Sequence, residues 1–136
     1  MEYEIDYLGG LSTRCVHKDN KAEILTDAPK DNQGRGLLFS PTDLVAVALG
    51  SCVLTLMGIA ADRLRVDISG AKVLVTKEMA TAPSRRIGKI KIVFSFPQTF
   101  SLDVQQKLEK AATGCPVHHS LHPDVVQEFI FEWGVL

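Results

Sequence analysis

The sequence has no excess of charge of either sign. Its 136 residues include 15 Lys and Arg and 16 Asp and Glu, which gives a formal net charge of -1, and the two signs are mixed along the chain. Proteins that bind nucleic acid or an anionic membrane through charge carry a basic patch or stripe. We therefore predict neither nucleic acid nor a membrane surface as a partner.

The sequence also has few cysteines, and it begins without the features of a secretion signal. Acidic residues follow Met1, where a signal peptide would have a basic region and then an apolar one. We therefore expect the protein in the cytoplasm. Thiols are kept reduced there, so Cys15, Cys52 and Cys115 are expected to be reactive, metal-binding or inert, and not joined in a permanent bridge.

Internal repeats, low-complexity segments and a nucleotide-binding glycine signature are all missing. A chain of this length is expected to form one domain, residues 1–136, and to bury on the order of two-thirds of its unfolded surface. The missing glycine signature leaves a doubly wound nucleotide-binding fold without support.

Charged side chains are missing between Leu44 and Ala61. The pattern predicts one long helix from Pro41 to Leu64, with Ser40 and Asp43 forming a capping box at its start. An apolar helix of this length indicates either a membrane span or a buried core helix. Its small residues and its flanking acidic residues favour the core helix.

The other elements follow from alternation and from helical spacing. Strands are predicted at residues 2–8, 11–17, 21–26, 66–80, 86–97 and 129–135, with a Gly9-Gly10 hairpin turn and a loop at 27–38. Ser101 is predicted to cap a second helix whose buried stripe contains Val104, Leu108, Ala111 and Cys115. The order predicts an α+β fold with an antiparallel sheet.

Cys52 and Cys115 lie in different local settings. Pro116 fits the first position of a short helical turn, so Cys115 is predicted at its N-cap, where free amides can lower a thiol pKa. Cys52 lies in the middle of the long helix and gains nothing from the dipole. Spacing alone leaves it open whether Cys52 is reactive or a small buried hydrophobe.

Two motifs together carry a family resemblance. The first is Ser40-Pro-Thr-Asp-Leu-x-x-x-Ala-Leu-Gly-Ser-Cys52, and the second is Gly114-Cys115-Pro-Val-His118-x-Ser120-Leu121. In this order and at this separation, followed by a final aromatic strand, they resemble the OsmC/Ohr family of thiol peroxidases. The resemblance spans nearly the whole chain.

The resemblance implies an intertwined homodimer, with antiparallel sheets wrapped around two long central helices. The hairpin at residues 2–18 would be exchanged with the partner subunit or packed on it, and the two active sites would lie at the interface.

The resemblance also implies a reaction. Cys52 would be the peroxidatic thiolate that attacks an organic hydroperoxide, or hydrogen peroxide, and Cys115 would resolve the product as a disulfide. An external dithiol or a reductase protein would reset the pair, with no bound cofactor and no metal, in defence against oxidative stress. Leu49, Leu56 and Met57, with aromatic residues of the last strand, are candidates to line the substrate pocket.

The chain departs from the family pattern at two positions. The most active members carry Arg directly after the Gly-Gly of the first hairpin and Glu directly after the helix-starting Pro. This chain has Leu11 and Thr42 there, which predicts reduced activity or a changed substrate range. Arg14 is the favoured replacement cation and Arg35 the alternative; Asp43 is a candidate for the acid.

Two other functions remain open from the sequence. Cys52, Cys115 and His118 have residue types that zinc prefers, although no second ligand pair supports a zinc site, and His119 has no assigned role. Alternatively, the chain is a non-catalytic member that binds a hydrophobic small molecule in the interface pocket. Cys15 is interpreted as an incidental thiol or a less favoured resolving partner.

Overall fold

The computed structural model describes residues 1–136 and contains six strands and three α-helices. The strands are β1 Tyr3–Gly9, β2 Ser12–His17, β3 Glu23–Asp27, β4 Lys72–Ala80, β5 Arg86–Phe96 and β6 Val126–Trp133. The helices are α1 Pro41–Leu64, α2 Leu102–Ala112 and α3 Pro116–Ser120, and a single 3-10 turn spans Lys30–Asn32. Two compact units, Met1–Val45 and Ala46–Leu136, are described separately below.

The first unit holds an antiparallel sheet of order β1-β2-β3. The predicted hairpin is confirmed, but its turn is Gly10-Leu11 and not Gly9-Gly10, because Gly9 still pairs with Ser12. Gly10 and Leu11 have φ values of 59° and 62°, as a two-residue hairpin turn of the mirror-image type requires. A bulge between Tyr7 and Gly9 absorbs the shift of one residue.

Helix α1 has the predicted bounds and the predicted capping box. Ser40 Oγ accepts a hydrogen bond from the Asp43 amide at 3.1 Å, and the Ser40 amide donates to Asp43 Oδ2 at 2.9 Å. These two bonds satisfy amides that the first turn of a helix leaves without a partner.

In the second unit, one face of α1 forms the core. The buried residues there are Ala46, Leu49, Gly50, Val53, Met57 and Ala61. They pack with a row of β5 side chains that are 0% exposed, namely Ile90, Ile92, Phe94 and Phe96. By length and composition α1 would also pass for a membrane span, but its contacts are those of a core helix.

The second sheet has the order β4-β5-β6, and its topology corrects the prediction of a fully antiparallel sheet. Strands β4 and β5 are antiparallel, whereas β5 and β6 are parallel. The chain between β5 and β6 carries α2 and α3, and a crossover of this length allows parallel pairing. The predicted aromatic face of β6 is confirmed, since Phe131 stacks on Phe94 with ring centroids 5.0 Å apart and Trp133 on Phe96 at 4.1 Å.

Several predicted ends shift by a few residues without changing the α+β class, which is confirmed. The region before Lys72 is a turn and not the start of β4, and β3 runs from Glu23 to Asp27. Ser101 caps α2 as predicted, accepting from the Val104 amide at 3.3 Å. The buried residues of α2 are Leu108 and Ala112, so Ala112 takes the place predicted for Ala111.

Candidate thiol site

Cys115 occupies the N-cap of α3, as the sequence predicts. Its backbone is extended, Pro116 takes the first helical position, and Cys115 Sγ accepts a hydrogen bond from the His118 amide at 3.4 Å. The residue is 0% exposed and belongs to the same core cluster as Met57 and Ile90. The thiol is therefore held by the backbone and shielded from solvent.

The predicted lowering of the Cys115 pKa is wrong. Burial raises the pKa of this thiol, and the neighbouring Cys52 side chain raises it further through a hydrogen bond and its charge. Hydrogen bonds from the amides of His118 and Val117 lower the pKa of the thiol, but by less than burial and Cys52 raise it. The loss of hydration that comes from packing Cys115 in the core outweighs the helix-end effect on which the prediction was based.

Cys52 lies near the middle of α1 and is half-buried, not fully enclosed. It packs against the core cluster that contains Cys115, and it is close enough to the Cys115 thiol to raise the pKa of that group. Both are free thiols. The structure thus brings together one thiol that solvent can reach and one that it cannot, which is an arrangement that can interconvert between a dithiol and a disulfide.

The three predicted pocket-lining residues differ in burial. Leu49 and Met57 are 0% exposed in the core, whereas Leu56 is half-buried against it. Their role in substrate binding stays a prediction.

An open groove of about 410 Å³ lies along α1 and β4, and its lining is mainly apolar. The sequence analysis did not predict its residues, which are Val47, Gly50, Ser51, Leu54, Val73 and Val75. A Cβ at Gly50 would lie 2.9 Å from Val75 Cγ2, so glycine at this position allows α1 to approach β4 closely.

Arg14, the favoured replacement cation, already contacts two carboxylates. Its guanidinium lies 3.4 Å from Asp6 Oδ2 and forms a second ion pair with Glu23. Glu23, and to a smaller extent Asp6, raise the pKa of Arg14. A role for Arg14 at the thiol stays a prediction.

The first unit also contains a buried carboxylate that sequence reasoning missed. Asp27 is 2% exposed; it accepts hydrogen bonds from Ser12 Oγ and from the Leu37 amide at 3.3 Å. Arg35, the alternative cation, lies 3.6 Å from Asp27 Oδ1 and donates to Ser12 Oγ at 3.3 Å. These bonds, with Ser12 contributing most, lower the pKa of Asp27. An aspartate at the first position of a predicted loop carries no signal of burial.

His118 follows Cys115 in the turn, and Gln127 of β6 binds it twice. His118 Nδ1 lies 2.5 Å from Gln127 Oε1, and Gln127 Nε2 donates to the His118 carbonyl at 3.2 Å. The sequence analysis did not identify Gln127, because the last strand was predicted to begin at Phe129, whereas β6 begins at Val126. No group of three or more His, Cys, Asp or Glu residues is placed to hold a metal ion, so the structure gives the zinc alternative no support.

A family model described as OsmC-like protein matches residues 34–129. The chain belongs to the OsmC-like family. Comparison with curated proteins finds no significant match, so the relatives described next are solved structures.

The most informative relative is a protein from Psychrobacter arcticus, described as a proposed osmotic stress induced and detoxification response protein. It is 43% identical, the match covers 96% of this chain and 95% of that one, and the TM-score is 0.91. An organic hydroperoxide resistance protein OsmC from Legionella pneumophila is 13% identical over 96% and 95% of the two chains, with a TM-score of 0.78. An OsmC-like protein of unknown function from Vibrio cholerae is 14% identical over 95% and 97%, with a TM-score of 0.77. The two distant relatives show the fold alone.

At its two departures from the family pattern, this OsmC-like chain has no ionisable side chain. Leu11 lies in the hairpin turn at φ 62° and is exposed, and Thr42 lies in the first turn of α1, close enough for its hydroxyl to pair with Ser40 Oγ at 3.2 Å. Neither residue can supply a charge to a thiolate.

Proposed function

We propose that this OsmC-like protein is a thiol peroxidase that reduces organic hydroperoxides, or hydrogen peroxide, in defence against oxidative stress. The observation that carries the proposal is the pairing of a half-buried Cys52 with a fully buried Cys115. A peroxide coming from solvent reaches Cys52 first, and the shielded thiol is in place to react with the product.

The first step oxidises Cys52. Its thiolate attacks the terminal oxygen of the hydroperoxide, the O–O bond breaks, and the alkoxide takes up a proton, which gives an alcohol and a sulfenic acid on Cys52. In the second step Cys115 sulfur attacks the sulfenic sulfur, the S–OH bond breaks, and the hydroxide leaves as water with the Cys115 proton. The products are water and a Cys52–Cys115 disulfide.

An external dithiol, or a protein carrying one, then reduces the disulfide and is itself oxidised, so no bound cofactor is needed. Leu11 and Thr42 replace the family's activating pair, and we therefore expect a lower rate in the first step than in members that have both charges. Arg14 is retained as the candidate cation. Its two ion pairs on the sheet favour a modest contribution.

The homodimer is part of the same proposal. Support comes from the apolar side chains that one chain leaves uncovered: Tyr3, Ile5 and Tyr7 of β1 are 61–67% exposed, and Val47 and Ile59 of α1 are 42% and 44% exposed. Exposed apolar surface of this kind is typical of subunit interfaces. We also retain the prediction that the 2–18 hairpin packs on, or exchanges with, the partner, and that the protein acts in the cytoplasm.

Steady-state turnover tests the proposal. Purified protein with dithiothreitol should consume cumene hydroperoxide, Cys52→Ser should abolish the activity, and Cys15→Ser should retain it as the matched control. Turnover that survives Cys52→Ser would refute the assignment of the peroxidatic thiol.

A second candidate function has its own supporting observation, the open apolar groove between α1 and β4. In that case the protein binds a hydrophobic small molecule without chemistry. Binding of a fluorescent fatty acid that is unchanged by Cys52→Ser, together with no peroxide consumption, would favour this candidate over the peroxidase.

A further inference from the structure

The α3 turn that carries Cys115 is too short to hold itself in place. It contains five residues, and an isolated helix of this length is unstable because nucleation costs more than a single turn returns. Its last carbonyls also lack partners within the helix. Contacts from outside must therefore fix the position of the thiol.

Gln127 supplies two such contacts from β6. Its Nε2 donates to the His118 carbonyl at 3.2 Å, one of the carbonyls that the short helix leaves unpaired. Because Gln127 Nε2 is used as that donor, the Gln127 atom that lies 2.5 Å from His118 Nδ1 is Oε1. An amide oxygen can only accept a hydrogen bond, so Nδ1 must carry the proton. A single side chain thus holds both the main chain and the ring of His118.

His118 in turn contacts the sulfur. Its amide donates to Cys115 Sγ at 3.4 Å, and its ring is flanked by Phe129 at 5.8 Å and His119 at 5.1 Å between centroids. The connection from strand to sulfur therefore runs from Gln127 to His118 and then to Cys115. Gln127 itself pairs with Ile90 of β5, a residue that is 0% exposed, in the middle of the sheet.

We propose that Gln127, acting through His118, is a positioning residue that holds the Cys115 thiol ready to close the disulfide with Cys52. The inference rests on the proposed function, because disulfide closure is its second step. Gln127 takes no part in the first step, in which Cys52 attacks the peroxide. Orientation of the attacking sulfur is a large contribution to such a reaction, and a misplacement of about 1 Å can cost on the order of 100-fold.

The test measures the two steps separately in Gln127→Ala. Dimedone trapping reports the formation of the Cys52 sulfenic acid, and acid-quenched mass spectrometry reports closure of the disulfide. We expect sulfenic acid to form at the wild-type rate and closure to slow by roughly 10-fold or more. Sulfenic acid should then accumulate, and excess peroxide should convert it to sulfinic acid.

Conservative variants separate positioning from general stability. Gln127→Glu keeps an acceptor for Nδ1–H but loses the donor to the His118 carbonyl, so closure should fall between wild type and Gln127→Ala. His118→Asn keeps a side-chain donor near the Nδ1 position and should close faster than His118→Ala. Glu128→Gln is the matched control, because Glu128 follows Gln127 on β6 and the change removes only the 2.9 Å ion pair with Lys89 of β5.

Diamide, which oxidises neighbouring thiols without a peroxide, distinguishes failure of this inference from failure of the proposed function. Suppose that the wild-type protein does not react with peroxide but closes its disulfide with diamide, and that Gln127→Ala closes it more slowly. This result would support the positioning role of Gln127 and refute the peroxidase. Unchanged closure in Gln127→Ala, equal slowing of both steps, or a wild type that forms no disulfide even with diamide would overturn the inference.

Discussion

Two buried titratable groups in this protein have pKa values that are shifted in opposite directions. Asp27 in the first unit and Cys115 in the second are both almost inaccessible to water, at 2% and 0% exposure. Burial disfavours the charged form of each. Yet the pKa of Asp27 is lowered and that of Cys115 is raised.

The difference lies in the neighbours. Asp27 accepts from a hydroxyl and a backbone amide and lies near the Arg35 guanidinium, all of which stabilise the carboxylate. Cys115 accepts from backbone amides, and the neighbouring Cys52 side chain favours the protonated thiol. Buried position alone therefore does not determine ionisation. In the first unit the surroundings of Asp27 stabilise the carboxylate, and in the second unit the surroundings of Cys115 stabilise the protonated thiol.

The largest effect is expected when the buried thiol of Cys115 is removed. Cys115→Ala should abolish the intramolecular disulfide and leave Cys52 as a sulfenic acid that dimedone traps after one equivalent of cumene hydroperoxide. Cys15→Ala is the control and should form the disulfide normally. A disulfide between Cys52 and Cys15 in the Cys115→Ala protein would reassign the resolving role.

The raised pKa of Cys115 predicts how closure depends on pH. Attack requires the thiolate, so closure from the preformed sulfenic acid should accelerate about tenfold per pH unit while the pH is below the thiol pKa. Burial is the largest cause of the shift and persists after Cys52 is oxidised, so the rise should continue above neutral pH. A plateau near neutral pH, measured by rapid quench, would contradict the raised pKa.

Stability in acid tests the other half of the comparison. The pKa of Asp27 is lower in the folded state than in the unfolded state. The ionised carboxylate therefore stabilises the fold at a pH above the unfolded-state pKa, and this stabilisation is lost as the pH falls through the folded-state pKa. Asp27→Asn should lower the Tm by several degrees at pH 7 and by less at the acid end of the range. Glu23→Gln, which removes an exposed ion pair of the same sheet, should change the Tm little by differential scanning fluorimetry.

The smallest effect is expected at Arg14. Arg14→Ala should slow the alkylation of Cys52 by iodoacetamide at pH 7 only a few-fold, since the guanidinium already serves Asp6 and Glu23. Arg35→Ala provides the comparison. If Arg14→Ala instead slowed alkylation far more than Arg35→Ala, Arg14 of β2 would be the cation that replaces the arginine missing at position 11.

The long helix, its capping box, the alternation on β5 and the Cys115 N-cap could all be predicted because each is encoded locally, by residues three or four apart or by alternating ones. The parallel pairing of β6 could not, since it depends on where α2 and α3 return the chain. The turn shift at Leu11 was missed because a leucine with positive φ is rare. Among the site residues, the sign of the Cys115 pKa shift, the burial of Asp27 and the contact of Gln127 with His118 depend on long-range packing that no local pattern records.

The central claim is that Cys52 and Cys115 form a redox pair, and mass spectrometry of the reduced protein treated with one equivalent of cumene hydroperoxide tests it most directly. The account predicts a mass loss of two hydrogens and a peptide linked through Cys52 and Cys115, both absent in Cys52→Ser. Two thiols that remain reduced, or that oxidise only in large excess without pairing, would contradict the account and favour the hydrophobic-ligand function.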